Sequence, residues 1–214
     1  MNSQDEEWKS IDHALNYLSR ADKLPHRVEG ERVLLDHIPK NPRRILDLGT
    51  GDGRLLALLR VERANFQGVA IDYSDPMLDA ASKRFEKDQL VHVVKHDLST
   101  PLPRSLGQFD VVVSSFAIHH LEDIRKYDLY TEVFSFLTAG GIFCNLEHVA
   151  SPTVNLHSAF LTAIDDTSDS EDKSNKLLDL DTQLKWLREI GFEEVDCYWK
   201  WLELALLIGI KPAR

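Results

Sequence analysis

Between Arg43 and Val149 the sequence alternates short apolar runs with amphipathic stretches, and no other feature narrows its folding options as much. RRILDLG, FQGVAIDY, LVHVVKHD, FDVVVSSFAIHH and GGIFCNLEHV read as strands. GRLLALLR, DPMLDAASKRFEKD and a stretch running through Tyr130 to Leu137 read as the helices between them. Such alternation predicts a mainly parallel sheet, because a parallel connection must cross over the sheet and the crossover is usually a helix. The glycine pair Gly140 and Gly141 is expected to end the helix before the fifth strand. Two closing strands, VDCYWKW and LALLIGI, complete the expected class: α/β, a doubly wound seven-stranded mainly parallel sheet with helices on both faces.

The flanks are read by the same periodicity. Residues 5 to 20, DEEWKSIDHALNYLSR, place Trp8, Ile11, Leu15 and Leu18 at helical spacing behind an acidic start, and a second helix is expected over 28 to 38. A single domain over 1–214 is expected, with 1–30 as an N-terminal helical cap in which Trp8, Tyr17 and Arg20 cover the ligand cleft. Residues 150–180 are expected to form a substrate lid. Within it the acid-rich 165–176, DDTSDSEDKSNK, reads equally well as a solvated linker. In DTQLKWLREIGF the helix should be capped by Asp181 or Thr182, bury Leu184, Leu187 and Ile190, and stop at Gly191.

Charge and cysteine usage exclude several functions. Twenty-five Lys and Arg against thirty-five Asp and Glu give a formal net charge of −10, which disfavours nucleic acid as a partner, since neutralising phosphates needs clustered cations. No apolar run approaches the ~18–20 residues of a membrane span, and the acidic N-terminus is unlike a signal peptide, so a cytoplasmic location is expected. Cys144 and Cys197 stand singly in apolar strands, which predicts buried thiols with neither disulfide nor zinc.

The loop Asp47-Leu-Gly49-Thr-Gly51-Asp-Gly53 sits where the first strand turns into a helix, and glycines there permit tight turns and close approach of a ligand to backbone. The dinucleotide fingerprint G-x-G-x-x-G would need glycine at position 54, where this chain has Arg54, so a nucleotide-dependent oxidoreductase is disfavoured. Asp72 ends the next strand, where a carboxylate can accept hydrogen bonds from a ribose. Ser74 or Asp75 can cap the helix that begins near Pro76, leaving Asp72 for the ligand. Asp97 ends the third strand and reads either as a second ligand contact or as the turn residue of DLSTPLP.

The D-x-G-x-G-x-G loop, the acidic strand ends at Asp72 and Asp97, and FDVVVSSFAIHHL together resemble class I S-adenosylmethionine (SAM)-dependent methyltransferases over nearly the whole chain. The resemblance implies SAM as cofactor and S-adenosylhomocysteine (SAH) as its product. It implies that Gly49 and Gly51, with Asp47 and Thr50 in the same loop, pass under the methionine moiety and that Asp72 holds the ribose. By the same resemblance Tyr73 and Met77 flank the adenine, Asp97 faces its amino group with Leu98 beside it, and Ser114 lies near the sulfonium. The ending W-L-R-E-I-G-F-x-x-V is similar to the small-molecule type 11/12 group and also to enzymes of the transfer-RNA wobble uridine. Members of the latter that use carboxylated SAM carry an arginine where this chain has Trp186, so ordinary SAM is expected.

On the acceptor side, His119 and His120 are expected at the end of strand four, and Glu147 and His148 at the end of strand five, together at the C-terminal edge of the sheet. A base is needed where an oxygen or nitrogen acceptor must lose a proton, and imidazole titrates nearest neutral pH. His119 is the first candidate and His148 the second, with His120 packing beside the following helix. Tyr17, Glu147 and Trp199 complete the expected substrate side, although Trp199 and Trp201 also suit core packing. A metal is not expected, because the adjacent histidines diverge and no i, i+4 ligand pair accompanies them. The expected activity is methyl transfer from SAM to an O, N or C nucleophile of a small molecule, with a homodimer as an open option. The competing readings are a wobble-uridine tRNA enzyme and a non-catalytic SAM-binding scaffold.

Overall fold

A computed structural model describes residues 24–63, 65–168 and 170–213. The expected cap residues Trp8, Tyr17 and Arg20 lie outside the described residues.

Seven strands, β1 (Arg44–Leu48), β2 (Gln67–Asp72), β3 (Val91–Lys95), β4 (Phe109–Ser115), β5 (Leu137–His148), β6 (Glu193–Trp201) and β7 (Leu204–Ile210), form one sheet in the order β3-β2-β1-β4-β5-β7-β6. The pairs among β1 to β5 are parallel, and β7 runs antiparallel to both β5 and β6. The described helices are α1 (Arg27–His37), α2 (Arg54–Glu62), α3 (Asp75–Arg84), α4 (Asp123–Phe136), α5 (Val154–Ala163) and α6 (Leu180–Ile190).

The central strands carry near-continuous apolar runs because both of their faces are covered. Leu129 and Val133 of α4 and Leu184 and Leu187 of α6 pack with Leu46, Val112 and Phe143 in one core layer. Leu34 of α1, Leu56 of α2 and Phe160 of α5 pack with Ile45, Val111 and Cys144 in the other. Leu34, Leu56 and Leu129 are fully buried, and each contributes about 1.5–3 kcal/mol of transfer free energy.

Three local expectations are corrected. β5 begins at Leu137, immediately after α4, so the glycine pair lies inside the strand. Leu137 is pulled into the core, and Gly140 at φ 75° makes the bend that lets the strand continue. β4 ends at Ser115 rather than at the histidines: Phe116 adopts φ 54°, and Ile118–His120 forms a 3-10 turn. The cap of α6 is Asp179, whose side chain accepts from the backbone N–H of Thr182, because the helix starts earlier than the run of apolar residues suggests.

β1 lies between β2 and β4, with Leu48 level with Ile71 on one side and Ser114 on the other. The three C-terminal ends are therefore flush, and the chain leaves them in diverging directions. That reversal of strand order opens a crevice of the kind in which α/β sheets bind ligands.

Candidate cofactor cleft and the histidine cluster beside it

The crevice is a narrow cleft, partly open to solvent. Its first wall is the turn from β1 into α2. Gly49 has φ 65°, and a Cβ there would stand 2.2 Å from the Cβ of Ala117, so only glycine fits. Gly51 has φ 57°, and a Cβ there would meet nothing nearer than the Met77 sulfur at 4.0 Å. Bare backbone thus faces open space, a cradle into which a ligand can come close.

Asp72 ends β2 and locks this turn. One carboxylate oxygen accepts from the Gly51 N–H and the other from the Ser74 N–H, both at 2.9 Å. Burial raises its pKa above the ordinary carboxylate value, opposed by the N–H groups of Ser74, Gly51 and Tyr73. Asp72 is therefore not left wholly to a ligand: Ser74 sits at the N-cap of α3, but its side chain makes no capping bond, and Asp72 takes its N–H instead. Each oxygen still has a second lone pair for a hydroxyl.

Behind the turn, Thr50 donates its hydroxyl to Asp47 at 2.6 Å. Burial pushes the Asp47 carboxyl up to about 7, helped by the nearby charges of Asp72 and Asp52 and opposed by the Thr50 bond. Arg54, standing where a dinucleotide fingerprint would place glycine, pairs through its Nε with Glu31 of α1 at 2.9 Å and ties the turn to that helix.

Tyr73, Met77, Asp97 and Leu98 line the same cleft as Gly49, Gly51 and Asp72. Asp97 also caps its own turn, accepting from the Ser99 N–H at 2.8 Å, while it lines the cleft. Met77 and Leu98 are buried as well as cleft-lining. Ser114 does not reach the cleft; it is fully buried and donates to the Leu48 carbonyl at 2.9 Å. Trp199 packs against α1, where a Cβ on Gly30 would lie 2.8 Å from its ring, and Tyr17 lies outside the described residues.

The histidines are arranged differently from the expectation. His120 borders the cleft, whereas His119 is 6% exposed and turned inward, its Nδ1 2.5 Å from Glu147. Burial lowers the His119 pKa well below the ordinary value, with His148 adding to the effect. Burial also pushes Glu147 up to about 7. Both shifts favour the neutral forms of the two groups. His148 bonds through Nε2 to Glu203 at 2.8 Å, and the other oxygen of Glu203 meets His157 at 2.9 Å. Glu203 stays below the ordinary carboxylate range because hydrogen bonds from His148, Ser151 and His157 outweigh its burial.

His96, Phe116, Ala117 and Leu121 also line the cleft and escaped the sequence reading. Phe116 and Ala117 belong to FAIHH, which reads as more strand; no local pattern reveals that Phe116 turns to positive φ. His96 follows β3 directly, and its position before Asp97 was the available signal.

Comparison with known proteins finds sequence relatives for part of this arrangement. Residues 45–141 match a family profile described as a methyltransferase domain. The carboxy-S-adenosyl-L-methionine synthase of Desulforapulum autotrophicum is 26% identical over 186 residues, 79% of this chain and 75% of that one. The demethylmenaquinone methyltransferase of Thermus thermophilus is 33% identical over 117 residues, 54% of this chain and 51% of that one. An O-methyltransferase family protein from Burkholderia thailandensis superposes with a TM-score of 0.73 at 17% identity, covering 98% of this chain and 63% of that one, a likeness of fold alone. The chain thus spans three quarters of the first relative but only about half of the second. The fold and cleft define a Rossmann-like α/β domain. The matched segment, residues 45–141, is similar to methyltransferase domains. The similarity to wobble-uridine tRNA enzymes gains no support from these matches.

Proposed function

We propose that the protein transfers a methyl group from SAM to a small-molecule acceptor. The observation that carries this reading is the Gly49–Gly51 turn held by Asp72 at the mouth of the cleft. The residues fit the cofactor: the open face of Gly51 admits a ligand to the backbone, and Asp72 offers lone pairs to a ribose. Tyr73 and Met77 on one side, and Asp97 and Leu98 on another, are the groups that would hold an adenine.

SAM, when bound, would supply a methyl group already activated on a sulfonium sulfur, so no covalent activation is asked of the chain's own residues. The protein's work is therefore to bind, align and dispose of any acceptor proton. The small-molecule acceptor is supported by the acidic balance of the chain, with a formal net charge of −10, which repels polyanions.

Calorimetric titration with SAM, SAH and NAD tests the reading. Micromolar binding of the first two without NAD is expected; binding of NAD alone, or of none, overturns it.

A further inference from the structure

We propose that segment 170–176 is a pH-sensitive strap: it is clasped to the body of the protein through His157 while that imidazole carries two protons, and the clasp opens when one is lost. Nothing in it depends on what the cleft binds.

His157 lies on α5 with both ring nitrogens against carboxylates from other elements. Nδ1 is 2.9 Å from Oε1 of Glu203, in the turn between β6 and β7, and Nε2 is 3.2 Å from Oε2 of Glu171, in the strap. A carboxylate only accepts, so the two bonds are made together only by the imidazolium, which donates from both nitrogens. The Glu203 side chain is fully enclosed, whereas that of Glu171 is 23% exposed and stands at the edge of solvent. The other oxygen of Glu203 meets His148 of β5 at 2.8 Å. Among the described residues, the titratable groups that bear on His157 are therefore Glu171 and the adjacent Asp172 from the strap, Glu203 from the turn, and His148 beyond Glu203. No other residue of α5 is ionisable.

Burial opposes the charged form of His157, but the hydrogen bond and charge of Glu203, and then those of Glu171, outweigh it and raise the pKa above the ordinary 6.5. On losing one proton the ring keeps a single donor. That proton stays on Nδ1, because the enclosed carboxylate of Glu203 cannot turn to water for a replacement and an unmet buried acceptor is costly. Nε2 then presents a lone pair to Oε2 of Glu171, two acceptors repel, and Glu171 swings out to be hydrated. The clasp is complete below the ordinary imidazole value and is lost as pH rises through the raised one.

The other end of the strap bears on the histidine turn that borders the cleft. Ser174 is buried, and its hydroxyl lies 2.9 Å from Nδ1 of His120. The Lys176 N–H donates to the His119 carbonyl at 2.9 Å, and its ammonium donates to the His120 carbonyl at 3.2 Å and pairs with Glu122 at 3.3 Å. Lys126, 1% exposed, donates to the Lys176 carbonyl. Burial pushes the His120 pKa down to about 3 and lowers that of His119 as well, so both rings are already neutral where His157 changes charge. A segment whose composition suits a free linker is thus held at both ends, and the hold at Glu171 is the one that answers to His157.

Hydrogen exchange of the full chain, read by mass spectrometry on peptides spanning 170–176 and corrected for the intrinsic pH dependence of amide exchange, tests the strap. Between about pH 5.5 and about pH 8.5 the protection of 170–176 is expected to fall several-fold in the parent. In Glu171→Ala and His157→Ala it should be low at both pH values, while α4 exchanges alike in all three proteins. Proton NMR of the His157 ring, assigned by its loss in His157→Ala, gives a second readout: a pKa above the ordinary value in the parent, lowered in Glu171→Ala. Equal protection of 170–176 at both pH values in the parent overturns the proposal. So does a pH-dependent loss that persists in Glu171→Ala, or a His157 pKa that this substitution leaves unmoved.

Discussion

Asp72 has two tasks drawing on one set of lone pairs: it closes the glycine turn through Gly51 and Ser74, and it faces the cleft where a ribose would lie. Asp72→Ala removes both. Loss of hydrogen bonds to a charged group costs about 1.5–3 kcal/mol, so SAH affinity is expected to fall roughly tenfold to a hundredfold, read by calorimetry. Unchanged affinity would leave Asp72 as a structural clamp alone. Gly49→Ala acts differently. The added Cβ would stand 2.2 Å from Ala117 at a φ of 65°, and overpacking of this kind costs about 1–3 kcal/mol, measured as a lowered urea midpoint. The place of Asp72 at a strand end was legible, but its bond to Gly51 was not, because it forms only when residues 21 apart in sequence close on each other. His119 and His120 show the same limit. Their identity was plain, but which one borders the cleft depends on the Phe116 turn.

At the level of elements, periodicity identified the seven strands of the described residues, while boundaries shifted where a tertiary contact overrode a local signal. Gly140 and Gly141 look like a helix stop, yet Leu137 is drawn into the core and the strand starts before them. α6 shows a boundary that can be tested. Asp179 satisfies the Thr182 N–H at 2.8 Å, and loss of such a cap costs about 1 kcal/mol. Asp179→Ala should therefore lower the urea midpoint while leaving SAH affinity unchanged, since no residue of α6 lines the cleft. Asp181→Ala should do neither, and a loss of stability there as large as at position 179 would restore the cap predicted from sequence. Segment 165–176 was the least legible element, because its polar composition gives no hint that Ser174 is buried against His120.

Across the whole molecule, the site has a signature in how stability depends on pH. Asp47 and Glu147 are pushed up to about 7 by burial, Asp72 is raised for the same reason, and His119 and His120 are lowered. Stability falls with rising pH wherever the folded chain holds more protons than the unfolded one. From the ordinary carboxylate range up to about 7 the folded chain keeps carboxyl protons that the unfolded chain has lost. Below the ordinary imidazole value of 6.5 the unfolded chain gains two imidazolium protons that the folded chain refuses. These two effects oppose each other between about pH 4.5 and 6.5, so little slope is expected from this group of residues there. Above that window only the carboxyl effect remains, and stability should decline as pH rises through about 7. Below it only the histidine effect remains, joined by Asp110 and Glu203, whose depressed pKa values make stability fall as pH falls. Glu147→Gln separates the contributions. Having no proton to lose, the variant should gain in stability relative to the parent as pH rises from about 5 to about 7.5, whatever constant offset the altered bond to His119 introduces. Urea midpoints of the two proteins at both pH values measure this directly. A difference that does not change with pH would mean that Glu147 is ionised throughout, with a proton on His119, and would place a positive charge beside the cleft where the present reading places a neutral pair.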